Sequence, residues 1–201
     1  MRKKILQSGF FKAALLAVAP SLIMGGLPLL GYAPWERTSL EVVVFFVVVY
    51  SAIHVLVALL VMLVSRKWRE YFPAIMLGVL LGGFAGLQAG AAMRMKAYEL
   101  AGDRADVLIL AIEHYIEATG EPPERLEQLV PDFVQAIPVR LPLLEIVTGE
   151  AALKGFYGNP WALLFKAGSG LNWDQLVYLP RQNYEQVESK TLLGRWAYIH
   201  E

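Results

Sequence analysis

The sequence predicts a membrane α-helical fold joined to a small α+β domain. Three transmembrane helices are expected over residues 1–95. Residues 96–201 are expected to form a domain in which a long helix packs on an antiparallel sheet of about three strands. The first observation behind this is composition: 56% of residues are hydrophobic and 18% charged, against about 25% charged in ordinary soluble proteins. The apolar excess is concentrated in three stretches, residues 13–33, 42–64 and 72–93. The second observation is charge. Residues 1–96 hold ten Lys/Arg against three Asp/Glu, a net of +7, and residues 97–201 hold eight against fifteen, a net of −7. The overall zero hides two opposite halves.

Each apolar stretch has about the 20 residues a helix needs to cross a ~30 Å hydrocarbon core. The connections, residues 34–41 and 65–71, are short, which leaves an up-down-up arrangement. Orientation follows from Lys/Arg asymmetry in the flanks. Arg2, Lys3, Lys4, Lys12, Arg66, Lys67 and Arg69 fall on one side, and Arg37, Arg94, Lys96 and Arg104 on the other. Seven against four places the N-terminus in the cytoplasm and, in a bacterium, the C-terminal domain in the periplasm. A basic start before an apolar run also resembles a secretory signal. The best small-residue site, Gly31-Tyr32-Ala33, is followed by Pro34, which blocks cleavage, so the first span is read as an uncleaved helix. Pro20, Gly25, Gly26 and Pro28 predict a kink in it.

The third stretch carries the sharpest pattern. Gly78, Gly82, Gly86 and Gly90 recur every four residues after Ala74, which makes one small-residue stripe on a helix. Such stripes let helix backbones approach closely in lipid, where packing drives association. The stripe is a helix-packing face, either for a partner or for the other spans of the same chain. In the second stretch His54 lies near mid-span beside Tyr50 and Ser51. An ionisable group at that depth invites a functional reading such as haem ligation or proton relay. No charged residue lies at similar depth, so the competing reading is a neutral imidazole hydrogen-bonded to a neighbouring helix, with Gln88 as a candidate intramembrane polar contact.

Beyond Lys96 the pattern becomes amphipathic. Ala101, Ala105, Leu108, Ile112 and Tyr115 form a buried helical stripe, with Asp103, Asp106, Glu113 and Glu117 opposite. Gly120 reads as the helix C-cap, with Pro122 and Pro123 beyond. This helix either continues the third span as one rod or starts anew at Gly102-Asp103, with Asp103 as cap. A short helix is expected at 124–130, residues 139–150 are ambiguous, and strands are expected at Trp161–Lys166, 175–179 and 195–200. A hairpin turn is expected at 168–172.

Ala111-Ile112-Glu113-His114-Tyr115, Gly120-Glu121-Pro122-Pro123, Leu126, Leu129-Val130-Pro131, Phe133, Ile137-Pro138 and Gly158-Asn159-Pro160-Trp161 are set in an order that resembles the periplasmic core of type II secretion pseudopilins. The resemblance covers about residues 104–165. It implies a long N-terminal helix, half in the membrane, carrying a small antiparallel sheet. The run through Lys4, Gly9, Phe10 and Phe11 is similar to a prepilin leader, but Ala14 stands where that family has its assembly glutamate, and two extra spans precede the stem helix.

Catalytic constellations are not found. The chain has no cysteine, which removes disulfides, thiol chemistry and cysteine-held metals. His54, His114 and His200 share no metal-ligand spacing, and Gly168-Ser169-Gly170 is not a nucleophile elbow. Glu117, Glu121, Glu124 and Glu127 read as a solvated acidic edge. Phe156, Tyr157, Trp161, Trp173, Tyr178 and Trp196 read as core between sheet and helix. The acidic outer half argues against nucleic acid. The expectation is therefore a non-enzymatic bacterial inner-membrane protein with no cofactor and no metal, partnered by the bilayer and by other membrane or periplasmic proteins of a complex. The competing expectations are an accessory subunit of a larger membrane enzyme or electron-transfer complex, and a small-solute binder or enzyme using a pocket under the aromatics.

Overall fold

The computed structural model describes residues 2–33, 35, 49, 53, 55–57, 59, 60, 68–166 and 174–200. The chain divides into two compact units. One comprises Met1–Leu27 with Ser39–Arg94, and the other Pro28–Thr38 with Met95–Glu201.

In the first unit, α1 spans Arg2–Leu29 and continues as helix through Pro20. The helix α2 spans Trp68–Thr119, 52 residues without a break. The alternative start at Gly102-Asp103 is therefore not taken. Among the described residues two helical segments, Gln7–Leu29 and Tyr71–Thr119, are long and apolar enough to cross a membrane. Three transmembrane helices are not supported as such: the second apolar stretch, residues 42–64, falls mostly outside the described residues. His54 lies outside them as well.

In the second unit the end of α2 lies on one face of a five-stranded antiparallel sheet. The strands are β1 (Leu144–Thr148), β2 (Trp161–Lys166), β3 (Gln175–Tyr178), β4 (Lys190–Leu193) and β5 (Trp196–Ile199), in the order β1-β2-β3-β5-β4. A short helix, α3 (Gly149–Gly155), follows β1. The expectation of about three strands is corrected to five. The missed strands are the two edges, and each has a physical reason for its weak signal. β4 sits inside a polar stretch and leaves Thr191 and Leu192 exposed. β1 is half-buried at every position, so no alternation marks it. The expected helix at 124–130 is a single 3-10 turn, Leu126–Leu129, whose Leu126 and Leu129 are buried.

The three inner strands read as continuous apolar runs because both sheet faces are covered. On the helix side Trp161, Leu163, Phe165, Leu176, Tyr178, Trp196 and Tyr198 alternate inward to form one core with α2. On the other side Ala162, Leu164, Val177 and Ala197 form a second core under Tyr184 and Phe156. The α2 residues that meet the sheet are Ala97, Tyr98, Ala101, Ala105, Leu108, Ile109 and Ile112. Spacing of three and four keeps them on one face. The three alanines and Gly102 let the helix lie close to aromatic rings. A Cβ on Gly102 would come within 2.7 Å of the Trp196 ring. Gly120 ends the helix with φ +87° and its N–H on the Ile116 carbonyl at 2.8 Å, as its C-cap reading requires.

Candidate functional site

Within the first unit the glycine stripe lies on α1. A Cβ on Gly78 would come 2.5 Å from the Phe10 carbonyl oxygen, and one on Gly82 would run into the Ala14 backbone. A Cβ on Gly86 would be 3.0 Å from Val18 Cα, and one on Gly90 2.7 Å from the Ser21 carbonyl oxygen. α1 answers with a glycine of its own, since a Cβ on Gly25 would sit 2.7 Å from the Gly90 carbonyl oxygen. The four glycines therefore occupy a backbone-to-backbone contact inside this chain. Gly83, one position off the stripe, faces open space.

The remaining surfaces of these two helices are apolar and exposed. Leu15, Leu16 and Ile23 on α1 and Leu80, Leu81 and Phe84 on α2 are all more than half exposed. In the most apolar window of each segment only 11% and 22% of residues are buried. A core helix of a soluble protein hides such side chains, and an exposed apolar area this large marks an interaction with lipid or protein. Gln88 is exposed on the same helix. Arg94 is buried, and its Nε has no hydrogen-bond partner among the described residues.

The second unit carries an element absent from the sequence reading. Pro28–Ala33, expected as the end of the first span, and Trp35, expected in the connection 34–41, belong to this unit instead. Trp35 is buried in its core, and the Tyr98 hydroxyl donates to the Trp35 carbonyl at 2.5 Å across 63 positions. Tyr98 in turn lies 5.2 Å from the Tyr198 ring, and the Tyr198 hydroxyl donates to the buried Asp174 carboxylate at 2.7 Å. Gly31, with φ +82°, passes so close to Arg140 that a Cβ would lie 2.6 Å from the Arg140 Cβ. The Arg140 guanidinium lies over the Tyr32 ring at 5.4 Å. Trp35 is the one sequence signal that could have announced this attachment, an interfacial aromatic in a short loop.

The Gly-Asn-Pro-Trp segment has a fastening role. The buried Asn159 amide donates to the Phe156 carbonyl at 2.7 Å and to Asn183 Oδ1 at 2.8 Å, and its oxygen accepts the Arg181 N–H at 2.9 Å. This ties the turn before β2 to the loop after β3. Tyr184 completes that loop. Its hydroxyl accepts the Leu179 N–H at 2.9 Å and donates toward the Arg195 carbonyl at 2.8 Å, with the Val177 carbonyl at 3.2 Å. Burial pushes its pKa up to about 12, partly opposed by the Leu179 hydrogen bond. Burial also raises Tyr178, against the pull of Arg195, whose guanidinium donates to the Tyr178 hydroxyl at 2.8 Å.

Of the aromatics read as core, Trp161, Tyr178 and Trp196 are in it, Phe156 packs on the opposite sheet face, and Tyr157 is exposed. Trp173 and the expected turn at 168–172 lie outside the described residues. Glu113 and His114 are both exposed, as are Glu117, Glu121, Glu124 and Glu127. A shallow cleft of about 290 Å³ opens between the 3-10 turn and β1, lined by Glu124, Arg125, Glu127, Glu145 and the apolar Leu126, Leu144 and Ile146. Among the described residues no group of three or more His, Asp or Glu side chains is placed to hold a metal ion. No family model, no curated protein and no solved structure matches the chain.

Proposed function

We propose that this chain is a three-span protein of the bacterial inner membrane. Its pseudopilin-like outer domain lies in the periplasm and docks other proteins of a membrane complex, without chemistry of its own. The single observation that carries the membrane half of the reading is the exposed apolar surface of α1 and α2, on which only 11% and 22% of the most apolar windows are buried. The glycine contact supplies the packing that a helix pair needs where lipid tails compete for the same apolar side chains. What supports the outer half is the arrangement that the pseudopilin resemblance implies, a long helix on an antiparallel sheet. The edge strands β1 and β4 and the exposed Val107 and Leu110 on α2 offer surfaces for protein contact.

The test is native extraction in mild detergent followed by mass spectrometry. The reading expects stoichiometric partner proteins, and it expects them to be lost when Leu110 is changed to Glu. Purification as a lone species, unchanged by that substitution, would sink the docking role. A partner carrying a chromophore would favour an accessory subunit of an electron-transfer complex instead.

A further inference from the structure

The segment from Ile137 to Leu144 alternates in a way a solvated loop does not need. Ile137, Leu141 and Leu144 pack against the domain core. Between them Val139 and Leu143 are 79% and 64% exposed, the two most exposed large hydrophobic residues among the described residues from 95 to 200. Pro138 and Pro142 limit the backbone, and Arg140 holds a positive φ of 61°. Arg140 fixes this loop against Gly31 and Tyr32, through the close approach at Gly31 and the ring contact at 5.4 Å. Gly31 stands two residues beyond Leu29, where the apolar helix α1 ends. Chain continuity therefore keeps the loop within a few residues of the end of that apolar helix. Leu30 and Tyr32, 63% and 51% exposed, flank it there.

The Arg104 guanidinium donates to the Arg140 carbonyl at 3.3 Å, which brings two cations to the same loop. Among the described residues neither guanidinium sits in an ion pair. This is unusual in a domain whose net charge is −7. Exposed aliphatic side chains, an amphipathic tyrosine and two arginines without a carboxylate partner among the described residues are the set that a lipid interface takes up. Apolar groups enter the acyl boundary and guanidinium groups meet phosphates.

We propose that the loop around Val139–Leu143, with Tyr32, Arg104 and Arg140, is a membrane-contact surface. Val139 and Leu143 enter the headgroup layer, and the two arginines bind anionic phospholipid headgroups. The surface holds the outer domain down on the bilayer that the spans cross. The inference rests on the membrane reading proposed above.

The absence of cysteine allows single-cysteine nitroxide labelling of the full chain in nanodiscs containing phosphatidylglycerol. Positions 139, 143, 81 and 192 are compared by collision with oxygen and with a water-soluble nickel chelate. The expected result is a deep hydrocarbon signal at 81, an aqueous one at 192 and interfacial ones at 139 and 143. The double change Arg104→Gln with Arg140→Gln should shift 143 toward the aqueous value. Aqueous signals at 139 and 143 with 81 still deep would overturn the inference and leave the membrane reading intact. An aqueous signal at 81 would instead sink the membrane reading, and the inference with it. Labels at 139 and 143 hidden from both collision partners would mean that protein covers the loop, which also overturns it.

Discussion

The two ends of α2 use the same helix in opposite ways. Near its start, Gly78, Gly82, Gly86 and Gly90 face the backbone of α1, while Leu77, Leu80, Leu81 and Phe84 are exposed. Near its end, Ala97, Ala101, Ala105, Leu108 and Ile112 face the sheet, while Asp103, Glu113 and Glu117 are exposed. Small residues line the contact in both, so the packing logic is shared. What differs is the surface left over. The first half leaves out what water rejects, and the second leaves out mainly charged groups, with Val107 and Leu110 as the large apolar exceptions. An inside-out comparison of this kind separates a lipid-facing helix from a core-facing one more firmly than length or hydropathy does.

The comparison can be broken at its glycines. Gly82→Leu drives a side chain into the Ala14 backbone, which cannot move without displacing α1. It should destabilise the helix pair by about 3 kcal/mol or more, since overpacking against backbone has no soft neighbour to yield. Gly83→Leu, facing open space, should be tolerated. Thermal unfolding of both variants in detergent distinguishes them, and equal melting would mean that the stripe does not hold α1.

The next largest effect concerns pH and is confined to the second unit. Tyr184 is held near pKa 12 against an ordinary value of about 10. The fold favours its neutral form, so this contribution is intact below pH 10 and is lost as pH rises from 10 through 12. Two units correspond to roughly 2–3 kcal/mol. Denaturant titrations across that range should show a steeper alkaline loss in the native chain than in Tyr184→Phe.

Gly102→Ala offers the counterpart of Gly82 in the second half of α2. Its Cβ meets the Trp196 ring rather than backbone, and a ring can tilt, so a smaller cost of about 2 kcal/mol is expected. A shifted tryptophan emission together with a lower melting point would show it. At neutral pH, Tyr184→Phe should cost least, about 1–2 kcal/mol, by leaving the Leu179 N–H and the Arg195 carbonyl short of a partner. Unchanged stability there would mean that water replaces the hydroxyl.

Much of this architecture is legible in the sequence where burial is two-sided. Trp161-Ala162-Leu163-Leu164-Phe165-Lys166 reads as a strand with its observed bounds because an apolar run ends at a charge. Lys190-Thr191-Leu192-Leu193 does not, since an edge strand with two exposed positions carries no run and no clean alternation. Gly102 reads as a possible helix break because glycine has the poorest helix propensity after proline. The reason for it is the Trp196 ring, 94 positions away, which no local pattern can reveal. Trp35 was lost for the same reason, since its partner Tyr98 lies 63 positions on. The glycine stripe was visible from spacing, but spacing is symmetric between a neighbour in the same chain and a partner. Only the positions of Phe10, Ala14, Val18 and Ser21 against it show what it touches here.

The claim on which the rest depends is that the start of α2 lies in lipid and its end in water. Leu81 and Leu110 test it directly, because both are exposed leucines on this one helix, 53% in each case. In intact membranes opened to both sides, a membrane-impermeant maleimide should label Leu110→Cys rapidly and leave Leu81→Cys unlabelled until detergent is added. Rapid labelling of Leu81→Cys before detergent would contradict the account.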